Sequence, residues 1–257
     1  MDNAVAARPG FRRNTGQRYG DFLDGLHQTH AFDWYMEVGC RSGRTFAPVR
    51  GKTIAVDPFF KVETDVIGTK PRLLVFQETS DAFFESGFLK AAKIKLSYSF
   101  LDGLHLFEFL LRDFLNTEAN SDPDGVIALH DCLPFNERML TRDLKNLPRG
   151  PWTGDVWKMI PILRQYRPDL KITALSCRPT GLILISGLDP KSTVLKRNYE
   201  KIVAEWTEVD LVSFGLDRFY AGFEPTDPEG FAAEGYPLFQ KVAVAPETLV
   251  TPVRVSK

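Results

Sequence analysis

The chain reads as one α/β domain: a seven-stranded, mostly parallel sheet with helices on both faces, ending in an antiparallel hairpin. Three observations predict this. Short apolar runs recur between helix-like stretches, glycines and acids gather just after those runs, and the last two runs are separated only by "RPT". Alternation of strand and helix argues for parallel strands joined by crossover helices. Three residues cannot carry such a crossover, so the last two strands must form a hairpin.

In order, residues 1–16 read as a loose basic arm, residues 17–188 as the core, and residues 189–257 as a C-terminal helix with a wrapping extension. "GQRYGDFLDGLHQTH" is a helix with Tyr19, Phe22, Leu23 and Leu26 on one face. The seven strands are "DWYMEVG", "KTIAVD", "RLLVF", "IKLSYSFLD", "GVIALHD", "KITALSC" and "GLILISG". Helices are expected over "SDAFFESGFLKAA", "HLFEFLLRDFLNTEAN", "VWKMIPILRQY" and "KSTVLKRNYEKIVAEW". The Pro-, Gly- and Phe-rich stretch 208–257 needs its aromatics buried, against this domain or a second copy in a homo-oligomer. The connection after "GVIALHD" is long, and Trp152, Asp155 and Trp157 in it are candidates to line an acceptor pocket, with an anchoring role favoured for Trp157.

Bulk properties narrow the function. With 257 residues and 44% hydrophobic content, a sizeable core is available. A net charge of −1 gives no electrostatic footprint for nucleic acid or a polybasic membrane contact. The N-terminal stretch lacks the apolar run of a signal peptide, and no segment is apolar enough to span a membrane. Cys40, Cys132 and Cys177 are widely spaced and odd in number, as expected of buried thiols in a reducing, cytoplasmic setting.

"YMEVGCRSGRT" follows the first strand with Glu37, Gly39 and Gly43, and it lacks the third glycine and the spacing of a pyrophosphate loop. Asp57 ends the second strand, where a carboxylate can accept from ribose hydroxyls, and Phe59 beyond it can lie against an adenine. Taken singly, these are turn glycines and a solvated strand end. As an ordered set, each member with a strand before it, they are informative.

On these residues the sequence resembles the class I S-adenosylmethionine-dependent methyltransferases, over roughly residues 18–188. The resemblance implies the Rossmann-like methyltransferase fold, with the E-x-G-x-x-x-G loop carrying the methionine part of S-adenosylmethionine. It assigns cofactor contacts to Glu37, Gly39, Arg41, Gly43 and Asp57, with Thr79 and Ser80 of "QETSDAFF" near the adenine. Arg41 stands where many members have a middle glycine.

Asp102 and "LHDC" (His130, Asp131) end adjacent strands, so polar groups converge at the carboxyl edge, where ligands bind in such sheets. Activating a hydroxyl acceptor calls for a general base or a divalent cation. The pattern is similar to the metal-dependent small-molecule O-methyltransferases. It implies His105 as base, Asp102 beside the cofactor, and Asp102 and Asp131 as ligands of Mg²⁺ or Mn²⁺. The residues themselves add His130 to that set, since the fifth strand ends in His-Asp where those families have a carboxylate pair or Asp-Asn. Including His130 tilts such a set toward a softer metal. A buried thiol rather than a nucleophile is expected at Cys132.

The expected function is therefore O-methylation of a small molecule. The rivals are a metal-free or N/S-directed methyltransferase, a nicotinamide-dependent oxidoreductase, and a non-catalytic cofactor-binding module. The glycine spacing and terminal hairpin disfavour the oxidoreductase, and the Asp/His cluster disfavours the binding module.

Overall fold

The computed structural model describes residues 10–245. The chain begins with α1 (Tyr19–Thr29), β1 (Ala31–Phe32), β2 (Trp34–Val38), β3 (Lys52–Val56) and β4 (Leu73–Phe76). It continues through α2 (Ser80–Glu85), α3 (Phe88–Ala91), β5 (Leu96–Leu101), α4 (Phe107–Ala119) and β6 (Ser121–His130). A long connection leads to α5 (Met159–Tyr166), then β7 (Lys171–Leu175) and β8 (Leu182–Ser186). The C-terminal part holds α6 (Val194–Trp206), α7 (Leu211–Phe214), α8 (Leu216–Tyr220), α9 (Pro228–Ala233) and β9 (Ala243–Val244).

Seven strands make one sheet in the order β4-β3-β2-β5-β6-β8-β7. The pairs from β4 to β6 are parallel, while β8 runs antiparallel to both β6 and β7. This is the Rossmann-like methyltransferase fold, with the hairpin where "RPT" requires it. After β4 the chain returns across the sheet to place β5 beside β2, so the strand order reverses there. Such a switch point opens a crevice outside the carboxyl ends of the strands.

Side-chain alternation divides the core into two layers. Met36, Val38, Ile54, Leu101, Ile127 and Ile185 pack on one face with residues of α2 to α6. Tyr35, Ala55, Tyr98, Phe100 and Leu184 pack on the other with Phe22, Leu23 and Leu26 of α1. The extension wraps its own domain: β9 pairs with β1, and Phe231 and Tyr236 meet Phe22 at ring distances of 6.0 and 5.3 Å.

Several boundaries differ from those expected. The helix expected over 80–92 is two helices, broken at Gly87, whose φ of +66° ends the first turn of chain and starts the next. Residues Val156–Lys158 form a 3₁₀ turn ahead of α5. The strand expected from Gly125 begins at Ser121, and the β5–β6 ladder slips between Leu96 and Tyr98 to absorb "DPDG". Of the expected basic arm, residues 1–9 lie outside the described residues, and the rest is docked: Phe11 is buried, and Gly16 donates its N–H to the Ser176 carbonyl at 2.9 Å. Among the described residues no helix is long and apolar enough to cross a membrane.

Candidate active site

The turn after β2 is built on Gly39, at φ +90°. A Cβ there would lie 2.0 Å from the Asp102 carbonyl oxygen, so glycine is what lets the β2 and β5 ends meet. Arg41 has positive φ as well, and its N–H donates to Asp57 Oδ2 at 2.8 Å. The Phe59 N–H donates to Asp57 Oδ1 at 2.6 Å. Asp57 therefore ties the loop after β2 to the end of β3. Gly43 closes the loop at φ +83°, against the side chain of Val66.

Glu37 is fully buried and accepts hydrogen bonds from Tyr35 Oη, at 2.5 Å, and from the Thr45 hydroxyl. Burial pushes its carboxyl up to about 8, against the pull of those two donors. Thr79 is the N-cap of α2, accepting from the Ala82 N–H at 3.3 Å. The Ser80 hydroxyl is engaged with Asp113, and Asp81 makes a two-armed pair with Arg112 at 2.8 and 2.7 Å. Phe59 is 80% exposed, with a ring face open to a planar ligand.

The second half of the site lies at the ends of β5 and β6. His105 Nε2 sits 3.3 Å from Asp102 Oδ1, and its Nδ1 sits 3.2 Å from Asp131 Oδ2. His105 Nδ1 also lies 2.8 Å from the Trp152 carbonyl, and the two rings stack at 4.8 Å. His130 Nδ1 is 3.1 Å from the same Asp102 oxygen, while its Nε2 faces the Thr180 hydroxyl at 3.4 Å. Thr180 donates to Asp131, and the ring of Tyr19 covers His130 at a centroid distance of 3.9 Å. Asp131 itself is held at φ +62°, a left-handed conformation that is rare outside glycine and is found at functional sites.

These contacts set the charges. Burial alone would raise Asp102, but His130 and His105 together hold its carboxyl below the usual carboxylate range. For His105, burial opposes the charged ring and is outweighed by the Asp102 hydrogen bond and the charges of Asp131 and Asp102, lifting it to about 9. His130 is raised by the same two acids against its burial. Burial raises Asp131 against the pull of both histidines.

Among the described residues, the side chains whose donor atoms all come within 4.8 Å of one another are Asp102, His105 and Asp131. The expected ligand set was Asp102, His130 and Asp131, with His105 as base. His130 Nδ1 also lies 3.1 Å from Asp102 and 3.5 Å from Asp131, with the Thr180 hydroxyl and the face of Tyr19 against its ring, and His105 meets the same two carboxylates. Asp155 and Trp157, candidate pocket residues by sequence, are both buried. Burial pushes the Cys132 thiol up, in keeping with an inert core residue. Sequence reading missed Tyr19 and Thr180: one lay in a helix stripe read as core, the other in a hairpin turn.

A scan against protein-family models finds no match, and a search of curated proteins finds none. Among solved structures the chain is similar to an O-methyltransferase from Bacillus cereus in complex with SAH, at 16% identity over 65% of this chain and 79% of that one, with a TM-score of 0.44. It is similar to the O-methyltransferase TomG from Streptomyces achromogenes, involved in tomaymycin synthesis, in complex with SAM, at 14% identity, 65% and 78% coverage, and a TM-score of 0.42. A third is the MycE methyltransferase of the mycinamycin biosynthetic pathway in complex with Mg, SAH and mycinamycin VI, at 13% identity, 68% and 49% coverage, and a TM-score of 0.43. These likenesses are distant in sequence and in superposition, so strand order and register, not the matches, define the fold.

Proposed function

We propose that this chain is an S-adenosylmethionine-dependent methyltransferase acting on a hydroxyl of a small molecule, with a divalent cation at Asp102, His105 and Asp131. The observation that carries the reading is the contact between its two halves. The Glu37–Gly43 loop and the Asp/His cluster meet backbone to backbone at Gly39 and Asp102, on the switch point of the sheet.

The residues fit both groups. In the loop, each Asp57 oxygen accepts one backbone N–H and keeps a lone pair for a ribose hydroxyl. Phe59 offers an exposed ring to the adenine, and Thr79 and Ser80 stand at the start of α2. Gly39 lets the loop close directly onto the Asp102 backbone, where a Cβ would lie 2.0 Å from the carbonyl oxygen. In the cluster, two carboxylates and an imidazole give a mixed oxygen and nitrogen donor set suited to Mg²⁺ or Mn²⁺, with His105 favouring the latter.

S-adenosylmethionine supplies a methyl group on a positive sulfonium, and a divalent cation lowers the pKa of an acceptor hydroxyl. Asp102 serves both halves, because its backbone borders the loop while its carboxylate faces the cluster. His130 and Thr180 hold the two carboxylates in place, as outer partners of metal ligands commonly do. A general base at His105 needs a neutral ring with a nitrogen turned to the acceptor. Here Nε2 faces Asp102, Nδ1 faces Trp152 and Asp131, and both acids favour the protonated ring. A metal ligand needs the neutral ring as much as a base does, and with Nδ1 on the Trp152 carbonyl the nitrogen a cation would take is Nε2, on the Asp102 side.

The test is calorimetric titration with S-adenosylhomocysteine and with NADH, each with and without Mn²⁺. Binding of S-adenosylhomocysteine and of Mn²⁺ is expected. A clear NADH isotherm with none for S-adenosylhomocysteine would sink the proposal.

A further inference from the structure

We propose that Asp155 is a positioning residue for His105, acting from the long connection after β6; this rests on the reading that His105 serves the reaction. Three separate contacts from residues 152–155 enclose that histidine. The Trp152 carbonyl meets its Nδ1 at 2.8 Å and the indole lies over its ring. The Asp155 N–H donates to its carbonyl at 3.2 Å. Between them, Gly154 approaches so closely that a Cβ would fall 1.7 Å from the same carbonyl oxygen, and its φ is +51°.

The Asp155 carboxylate fixes the next element as well. Leu106, the N-cap of α4, has no side chain able to cap the helix. Asp155 Oδ1 takes that role from a distant part of the chain, accepting the Phe107 N–H at 2.9 Å. Its other oxygen accepts from Arg142 at 2.5 Å and from Lys158 at 2.7 Å. Arg142 in turn grips Glu108 on α4 at 2.6 Å, and buried Lys158 donates to the Thr207 carbonyl at 3.1 Å. The residue thus binds the backbone at His105 and at Phe107 while anchored by two cations. His105 cannot move along the strand end without breaking one of these bonds.

The experiment combines ring-nitrogen NMR of ¹⁵N-labelled, metal-free protein with Mn²⁺ titration, on the full chain. Asp155→Ala is expected to move the His105 ring resonances, leave those of His27 in place, and weaken Mn²⁺ binding roughly 10–100-fold. Asp155→Asn, which keeps an acceptor for the Phe107 N–H, is expected to fall between that variant and wild type. If Asp155→Ala fails to fold because Lys158 is left buried without its acid, the double variant Asp155→Ala/Lys158→Met is read in its place. Where wild type binds Mn²⁺, unmoved His105 resonances or an unchanged affinity overturns the proposal. Where wild type binds none, the metal reading fails by itself, and the ring spectrum decides: moved resonances support positioning by Asp155 and unmoved ones refute it.

Discussion

Replacing Gly39 by alanine tests whether the loop and the Asp/His cluster form one site. The new Cβ would sit 2.0 Å from the Asp102 carbonyl oxygen and 2.4 Å from its carbon, where ordinary contact begins at 3.4 Å. Backbone atoms cannot swing aside as a side-chain tip can, so Asp102 has to retreat by about 1.4 Å, because close-packed atoms have no spare volume to yield. The left-handed φ adds about 1–2 kcal/mol of strain. Gly87→Ala is the control. Its φ of +66° brings similar strain, but nothing lies within 4 Å of the added carbon. Both variants should lose roughly 2–8 °C in Tm from strain alone. Only Gly39→Ala should also lose metal affinity, by roughly 10–100-fold, equivalent to about 1.4–2.8 kcal/mol. Thermal melts followed by Mn²⁺ and S-adenosylhomocysteine titrations give the comparison. If the two glycine variants bind both ligands equally well, the loop and the cluster are independent and the single-site reasoning is wrong.

Asp57→Ala removes the acceptor of two backbone N–H groups and of the proposed ribose contact, and should weaken S-adenosylhomocysteine roughly tenfold or more; an unchanged isotherm would move the ribose elsewhere. Excess chelator should abolish methyl transfer and Mg²⁺ or Mn²⁺ should restore it, whereas full turnover in chelator would return His105 to the part of a metal-free base. His27 is buried among Phe32, Tyr35 and Tyr98 with both ring nitrogens unpartnered, and burial pushes it down to about 3. The unfolded chain therefore gains a proton below about pH 6.5 that the folded one refuses, and this costs about 2 kcal/mol of stability between pH 7 and pH 5. Urea melts of His27→Leu should show that loss reduced by a similar amount, and equal losses in both proteins would refute the assignment.

The sheet was legible because each strand carries its own signal. Apolar runs such as "KTIAVD" and "GLILISG" stop at a glycine or an acid, and "RPT" leaves one topology for the last pair. Asp57, Asp102 and Asp131 were readable for the same reason, as polar groups where a buried strand must end. How His105 and His130 divide their ring nitrogens between the two carboxylates was not. Both imidazoles reach both carboxylates, and His105 is set there by the start of α4, which is capped by Asp155, far away in the chain. Tyr19 belongs to a helical stripe whose other members, Phe22, Leu23 and Leu26, are core residues, and spacing alone cannot tell a wall of the site from the core behind it. Asp155 reads as a polar loop residue, and its burial becomes visible only once Arg142 and Lys158 close around it.

The docking of residues 14–19 onto the β7–β8 turn has a consequence during synthesis. Asn14 donates to the carbonyls of Leu133 and Pro179, Gly16 and Tyr19 donate to those of Ser176 and Arg178, and Tyr19 then covers His130. The partners of Asn14 lie 119 and 165 residues downstream. At translation rates of roughly 5–20 residues per second, the first segment waits on the order of ten to thirty seconds before its partner leaves the ribosome. Through that interval the strand ends carrying Asp102 and Asp131 lack both Tyr19 and Thr180. The wall behind the two carboxylates is thus among the last parts of the molecule to close, and a nascent chain stalled before residue 180 would hold most of the sheet without a finished site.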